Sequence, residues 1–252
     1  MTGAAPPRAA AVLPARFAST RLPGKPLLSE TGKPLIQHVH EVVSRARLLD
    51  PVIVATDDDR IADAVRGFGG QVVMTRADHP SGTDRVAEVC AGLDCDWVLN
   101  VQGDEPDLDP ADLDGLVTRL ASTGEDLVTL ARPLDADEGH LLADPHAVKV
   151  VCADDGRALY FSRSPIPHGD DASGARLHVG VYGYRREALM RFAAAPPADL
   201  ERRERLEQLR ALAMGMSIGV VPTAHRGVGI DTPEDYARFV ERTQGTGPQA
   251  TL

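Results

Sequence analysis

Short apolar runs alternate with amphipathic stretches through the first half of the chain. Ala9–Leu13, Val52–Ala55, Val72–Met74, Trp97–Val101 and Leu127–Leu130 are the apolar runs. Runs this short, bounded by polar and turn residues, suit buried strands better than helices. Between them Leu35–Leu48, Arg60–Phe68, Asp84–Ala91 and Asp112–Leu120 repeat apolar positions at helical spacing. Strand and helix in alternation predict βαβ units and a mostly parallel sheet, the α/β class. Ligands on such sheets sit beyond the carboxyl ends of the strands. That rule selects the segments after Leu13, Ala55, Met74 and Val101.

The second half changes character. Val148–Cys152 and Ala158–Ser162 flank Ala153-Asp154-Asp155-Gly156, a hairpin-like turn. Leu177–Tyr184 and Ser217–Val221 read as further strands, and Leu200–Ala213 as one charge-rich helix. Thr232 followed by Pro233, Glu234 and Asp235 opens the last helix, with Thr as N-cap, Pro first and acids in the first turn. Pro165–Arg176 is the most loop-like interior stretch, and no repeat or linker interrupts the chain.

The 252 residues carry 27 Lys plus Arg against 37 Asp plus Glu, a formal charge of −10. So acidic a chain is a poor general binder of nucleic acid or anionic membrane, and anionic ligands need a local basic cluster. Three cysteines without paired short spacing argue against a disulfide framework or a zinc site, and a reducing, cytoplasmic setting is expected. No signal peptide or membrane-length apolar run is evident.

The basic cluster follows the first strand. In Leu13-Pro14-Ala15-Arg16-Phe17-Ala18-Ser19-Thr20-Arg21-Leu22-Pro23-Gly24-Lys25-Pro26, the cations Arg16, Arg21 and Lys25 fall within ten residues. Arg grips phosphate oxygens in pairs and Lys adds a mobile point charge. The glycine spacings of a Walker loop or a dinucleotide fingerprint are absent. A solvated surface loop is the plain alternative. After the strand at Trp97, Asn100-Val101-Gln102-Gly103-Asp104-Glu105-Pro106 offers Asp104 as a candidate Mg²⁺ ligand, since Mg²⁺ takes one or two protein carboxylates and substrate oxygens for the rest. An ordinary acidic turn is the competing reading. Asp231, in Gly227-Val228-Gly229-Ile230-Asp231, gains a metal role only if it meets Asp104 in space; otherwise it is a turn or capping acid.

Two further features suit a sugar site. Strand alternation puts His178, Gly180 and Tyr182 on one face, and Glu207 and Gln208 are neighbours on a predicted helix. A buried, satisfied histidine and a solvated helix face explain these equally. Ser81-Gly82-Thr83-Asp84-Arg85 can cap a helix or meet a base or phosphate with its free amides.

In order along the chain, PARFASTRLPGKP, VATDD, TRADHPSGTDR, NVQGDEP, DPHAVKVV, ALYFSR, HVGVYGYR, LERRERLEQLR and GVGIDTPED resemble the CMP-KDO synthetase family, the 3-deoxy-manno-octulosonate cytidylyltransferases. The likeness runs from Ala11 to Val240, and the SGTDR and LEQLR segments favour this family over its sialic acid relatives. It implies a Rossmann-like nucleotide-diphospho-sugar transferase fold, with a mostly parallel central sheet and a small β-rich substrate and dimerisation region. A single nucleotidyltransferase domain over residues 9–242 follows, with flexible tails at 1–8 and 243–252. It further implies CTP and KDO as substrates, Mg²⁺ as cofactor, a homodimer, and a place in lipopolysaccharide biosynthesis.

Carried over onto matching positions, Lys25, Asp104 and Asp231 form the catalytic set, with Asp104 and Asp231 holding the metal. Pro14, Ala15, Arg16, Arg21, Lys25, Arg76, Ser81, Gly82 and Gln102 face the nucleotide, with Arg16, Arg21 and Lys25 on the triphosphate. Gln102, Arg163, His178, Tyr182, Glu207 and Gln208 face the sugar. One segment departs from the family: His168–Arg176 is shorter, less basic and less aromatic than its counterparts. The chemistry implied is attack of the sugar's anomeric hydroxyl on the α-phosphate of CTP, with pyrophosphate leaving. The rivals are a cytidylyltransferase for another acidic sugar such as sialic acid, and a non-catalytic sugar-nucleotide binding protein.

Overall fold

The structure, a computed structural model, describes residues 9–18, 22–169, 174–226 and 229–245. Its elements in chain order are β1 (Ala9–Ala15), α1 (Leu35–Val43), β2 (Leu49–Thr56), α2 (Asp59–Gly67), β3 (Gln71–Met74), α3 (Gly82–Ala91), β4 (Trp97–Asn100) and α4 (Pro110–Ser122). There follow β5 (Leu127–Pro133), α5 (His140–Ala143), β6 (Lys149–Cys152), β7 (Ala158–Ser162), β8 (Arg176–Arg185), α6 (Arg186–Ala194), α7 (Asp199–Glu204), α8 (Gln208–Ala213), β9 (Ile218–Pro222) and α9 (Pro233–Thr243). The chain forms two compact units whose segments interleave. The first gathers Ala10–Leu93, Asn100–Pro110 and Arg226–Leu252; the second is mainly Asp94–Leu99 and Ala111–His225.

In the first unit the strands run in the order β3-β2-β1, and β2 pairs with β3 in parallel. The alanine-rich β1 is a firm strand because it is enclosed: Ala10, Ala11, Val12 and Leu13 are all 0% exposed. A strand covered on both faces reads as a continuous apolar run, and small side chains let neighbouring layers approach. A core of Leu22, Leu35, Ile230, Tyr236 and Phe239 docks α9 onto the start of α1. Tyr236 fixes the docking with its hydroxyl, which donates to the Glu30 carboxylate and accepts from the Glu30 amide at 3.0 Å.

In the second unit the order is β4-β8-β5-β9, with β6 bridging β8 and β7. β5 pairs with β9 in parallel and with β8 antiparallel. The β6–β7 hairpin expected around Asp154–Gly156 is present and antiparallel. Lys149 is completely buried, and its ammonium donates to the carbonyls of Asp144, Ala147 and Arg163 at 2.9, 2.7 and 2.6 Å. A buried charge with each proton placed on a carbonyl escapes most of the penalty of an unpaired one.

Three element expectations are corrected. The helix expected over Leu35–Leu48 ends at Val43, and the chain turns through Ser44 before β2. The single helix expected over Leu200–Ala213 is two, α7 and α8, broken where Arg205 takes left-handed angles (φ 54, ψ 47). The helix α6 directly after β8 was not expected. The last helix, expected to open at Thr232, runs over Pro233–Thr243 with Thr232 as its N-cap. No helix among the described residues is long and apolar enough to cross a membrane.

Candidate functional site

In the first unit the segments that follow Leu13 and Asn100 border a cleft of about 230 Å³. It is lined by Pro14, Ala15, Arg16, Lys25, Pro26, His79, Ser81, Gly82, Arg85, Gln102, Gly103, Asp104 and Asp231. Of the four segments that the strand-end rule selects, those after Leu13, Met74 and Val101 contribute lining residues to this cleft, and that after Ala55 does not. Close approach builds the walls: a Cβ at Gly82 would sit 3.3 Å from the Pro14 ring.

Lys25 is aimed by the turn that precedes it. Gly24 takes φ +70, which an L side chain resists, and its amide donates to the Phe17 carbonyl at 3.1 Å. The short 3-10 helix Lys25–Leu27 follows. Its ammonium reaches Asp104 Oδ2 at 2.5 Å, the Ile230 carbonyl at 2.8 Å and Asp231 Oδ1 at 3.3 Å. The residues are 79 and 206 positions apart from Lys25 in sequence, so no local rule joins them. Backbone fixes the meeting, because the Ile230 amide donates to the Asp104 carbonyl at 2.9 Å. Asp231 is not the capping acid of α9. Thr232 caps, with Asp235 returning the bond in a capping box, and this leaves the Asp231 carboxylate to Lys25.

Two carboxylates converging on one ammonium make a cation-favouring point. The donor set is all oxygen, as Mg²⁺ requires, and two carboxylates is the number such an ion usually draws from a protein. Among the described residues no group of three or more His, Cys, Asp or Glu is placed to hold a metal. A cation held here takes its remaining ligands from substrate oxygens or water. Glu105 does not add a third charge: burial, then Asp104 and its acidic neighbours, push its carboxyl up to about 8.

The other nucleotide-side candidates divide. Arg16, exposed, lines the cleft with Pro14 and Ala15. Ser81 caps α3, its Oγ accepting from the Asp84 amide at 3.2 Å. Gln102 Nε2 donates to Asn100 Oδ1 at 3.0 Å, and Asn100 Nδ2 to Thr83 Oγ1 at 3.2 Å, which ties the strand end to α3. Arg76 does not line the cleft; it is exposed and lies 3.6 Å from Asp78 and 3.8 Å from Glu88. Arg21 lies outside the described residues, as do Asp170–Ser173 of the divergent loop.

Sequence reasoning passed over two residues of this cleft. His79 has a side chain 4% exposed and bonds Glu88 through Nε2, while its buried Nδ1 has no hydrogen-bond partner among the described residues. Arg85, 6% exposed, pairs with Asp57 at 3.0 Å and bonds Thr75 Oγ1. Both stand in the TRADHPSGTDR segment, but only their tertiary contacts, nine or more positions away, reveal their direction.

Apart from Gln102, which lines the cleft of the first unit, the sugar-side candidates lie in the second unit. His178 and Tyr182 share a face of β8, with ring centroids 5.4 Å apart, and Phe161 packs edge-on against His178 at 5.1 Å. Tyr182 is held protonated by burial, by Tyr184 and by the charge of Glu207, which places Glu207 in its electrostatic neighbourhood. Gln208, at the first turn of α8, is 5% exposed, and its buried Nε2 has no hydrogen-bond partner among the described residues. Arg163 is spent on backbone: it donates to the carbonyls of Glu204, Pro145 and Arg205 at 2.8, 2.7 and 3.3 Å.

Burial pushes the His178 imidazole from 6.5 down to about 3, so the ring is neutral at working pH. The unfolded chain takes up a proton near 6.5 that the fold refuses. This group's share of stability is therefore present above that pH and lost as the pH falls toward 3. His178→Gln should flatten the acid side of the profile. Relative to the difference at pH 8, wild type should lose up to about 2 kcal/mol more than the variant at pH 5. Urea unfolding at the two pH values reads this directly, and parallel profiles would mean a solvated ring.

The chain matches the cytidylyltransferase family over residues 10–218. A 3-deoxy-manno-octulosonate cytidylyltransferase of Geobacter sulfurreducens is 50% identical over 249 residues, 92% of this chain and 98% of the relative. That of Syntrophotalea carbinolica is 49% identical over 247 residues, 93% and 98% of the two chains. A solved CMP:2-keto-3-deoxy-manno-octonic acid synthetase complexed with CTP superposes with a TM-score of 0.89 at 42% identity, covering 94% of this chain and 99% of that one. The expected α/β nucleotide-diphospho-sugar transferase fold is thereby borne out. A 4-diphosphocytidyl-2C-methyl-D-erythritol synthase from Anaerococcus prevotii shares the fold alone, at TM-score 0.64 and 14% identity. With about half of its residues identical over more than nine tenths of its length, the chain belongs to the 3-deoxy-manno-octulosonate cytidylyltransferase family.

Proposed function

We propose that the chain transfers the cytidylyl group of CTP to the anomeric hydroxyl of 3-deoxy-manno-octulosonate, giving CMP-KDO and pyrophosphate. The observation that carries this reading is the convergence of Lys25, Asp104 and Asp231 in a cleft shared with Arg16, Ser81 and Gln102. In-line displacement at phosphorus asks little covalent chemistry of a protein. It asks that two anions be held close and their repulsion offset. The sugar oxygen bonds to the α-phosphorus as the bond to the β-phosphate oxygen breaks, and the hydroxyl proton leaves to solvent.

Each group then has a task. Arg16 faces the triphosphate, and the family resemblance gives Arg21, outside the described residues, the same task. Ser81 and Gly82 present the amino end of α3 to the nucleotide. Asp104 and Asp231 would hold Mg²⁺, which when bound offsets phosphate charge. Lys25 keeps the two carboxylates converged and supplies positive charge beside them. His178, Tyr182, Glu207 and Gln208 offer hydrogen bonds to the hydroxyls of the acidic sugar. The reading includes a homodimer, as the family resemblance implies, to be checked by sedimentation.

The deciding assay mixes protein, CTP and Mg²⁺ with KDO, with sialic acid, or with no sugar, and follows pyrophosphate. Release that requires KDO and is many-fold faster with it than with sialic acid is expected. CTP binding without sugar-dependent release would identify a binding protein instead, and preference for sialic acid would move the chain's substrate to another acidic sugar.

A further inference from the structure

The strand that carries His178 and Tyr182 is not regular. Along the β5–β8 ladder Ala131 faces His178 and Leu130 faces Val179, but the next residue, Thr129, faces Tyr182. Gly180 and Val181 are extra, with no register partner on β5. Because the insertion is two residues long, it preserves alternation. His178 and Tyr182 stand opposite positions two apart and keep one face.

The insertion also turns the Val181 carbonyl toward the Thr129 side chain. Thr129 is fully buried. Its hydroxyl oxygen lies 2.8 Å from the Val181 carbonyl, 3.2 Å from the Val179 carbonyl and 2.9 Å from Nε2 of His178. A hydroxyl has one proton, and carbonyls only accept. Were the proton given to Nε2, the Thr129 and Val181 oxygens would lie 2.8 Å apart with no hydrogen between them, so the proton goes to the Val181 carbonyl. The remaining contact, with His178, is a hydrogen bond only if Nε2 carries the hydrogen and Thr129 accepts it. A neutral imidazole with hydrogen on Nε2 has its lone pair on Nδ1. Nδ1 of His178 has no hydrogen-bond partner among the described residues. The flanking rings of Phe161 and Tyr182 hold the imidazole in place.

We infer that Thr129 is a positioning residue that locks His178 in the Nε2–H tautomer, so that Nδ1 is presented as an acceptor for a hydroxyl proton of the sugar. The inference rests on the reading that His178 faces the sugar. It adds the direction of the hydrogen bond, and with it a basis for choice. A substrate lacking the hydroxyl at that point leaves a lone pair unpaired, whereas one presenting an acceptor meets repulsion.

The test uses full-length enzyme with ¹⁵N-labelled histidine. Long-range ¹H–¹⁵N spectra at neutral pH, without sugar, report which ring nitrogen of His178 is protonated, the resonance being assigned by its absence from His178→Ala. Wild type and Thr129→Ser should show hydrogen on Nε2 alone. Thr129→Val, nearly isosteric but without the acceptor, should lose that bias. In steady-state assays Thr129→Val should raise the KM for KDO about tenfold with the KM for CTP unchanged, and Thr129→Ser should restore it. A wild-type ring protonated on Nδ1, or a tautomer indifferent to Thr129→Val, overturns the lock. Those spectra need no sugar, so they judge the lock separately from the sugar reading. A tautomer that moves while the KM for KDO does not overturns the acceptor role; if His178→Ala also leaves that KM unchanged, the placement of His178 at the sugar falls too. Should Thr129→Val fail to fold, the wild-type and Thr129→Ser spectra decide the question alone.

Discussion

Asp104→Asn should lower turnover by at least about 10²-fold, the scale of losing one preorganised electrostatic partner. Asparagine keeps the shape and an oxygen near the Lys25 ammonium, so the fold should survive. What is lost is charge. In the wild type Lys25, with a side chain 13% exposed, shares its protons between Asp104 at 24% and Asp231 at 45%. The shorter contact is to Asp104, 2.5 against 3.3 Å, so Asp104 is the more enclosed and more tightly held carboxylate. Removing its charge halves the anionic pair that would hold Mg²⁺, and the Mg²⁺ concentration for half-maximal rate should rise in parallel. Asp231→Asn should act in the same direction and more weakly, since water reaches that carboxylate more freely. Turnover and Mg²⁺ titration of both variants make the check. Near-normal turnover of Asp104→Asn, or an unaltered Mg²⁺ requirement, would remove the carboxylate from the metal and the chemistry together.

That pair was half legible in the sequence. Asp104 announces itself by standing just beyond the short buried strand Trp97–Asn100, where an α/β sheet puts its ligand. Asp231 does not, because the residue before a helix start is ordinarily a cap. Only the capping box of Thr232 and Asp235, and the bond from the Ile230 amide to the Asp104 carbonyl, free Asp231 for another purpose. The strands were legible for a related reason: burial on both faces produces unbroken apolar runs. Helix ends were not. Apolar spacing continues past Val43 through Ala46 and Leu49, but those positions are buried by a turn and a strand rather than by a further helical turn. The break at Arg205 is invisible because no glycine marks it, and a non-glycine residue at positive φ is uncommon enough that sequence offers no warning. Thr129 and His79 escaped for the commonest reason. The meaning of Thr129 lies in a bulge and a bond 49 positions along the chain, that of His79 in a bond to Glu88 nine positions away, and neither leaves a periodic trace.

The break at Arg205 also explains where the second large effect is expected. Splitting α7 from α8 lets Arg210 reach back to Glu201 with two parallel bonds, Nε to Oε2 at 2.9 Å and Nη2 to Oε1 at 2.6 Å. The side chains are 7% and 12% exposed, and the guanidinium lies over the Phe192 ring with 4.5 Å to its centroid. Burial pushes the Glu201 carboxyl up, but the bonds from Arg210 and the Ala198 amide outweigh it and the net shift is downward. Arg210→Ala would leave that carboxylate enclosed without its partner. The cost should be about 3–5 kcal/mol, the usual penalty for half of a buried pair. Replacing both members, Arg210→Met with Glu201→Leu, should recover most of the loss, because a well-packed apolar pair matches a buried ion pair in stability. The pH dependence follows from the depressed carboxyl. The pair's contribution is complete above the unfolded value near 4.5 and fades as the pH falls below it. Urea unfolding of the single and double variants at pH 7 and pH 4 tests all three statements. A single-variant loss under about 1 kcal/mol would show that water screens the pair as it does an exposed one. Since α8 begins at Gln208 and follows Glu207, the single variant should also weaken sugar saturation before it alters CTP binding, and a reversed order would separate this helix from the sugar side.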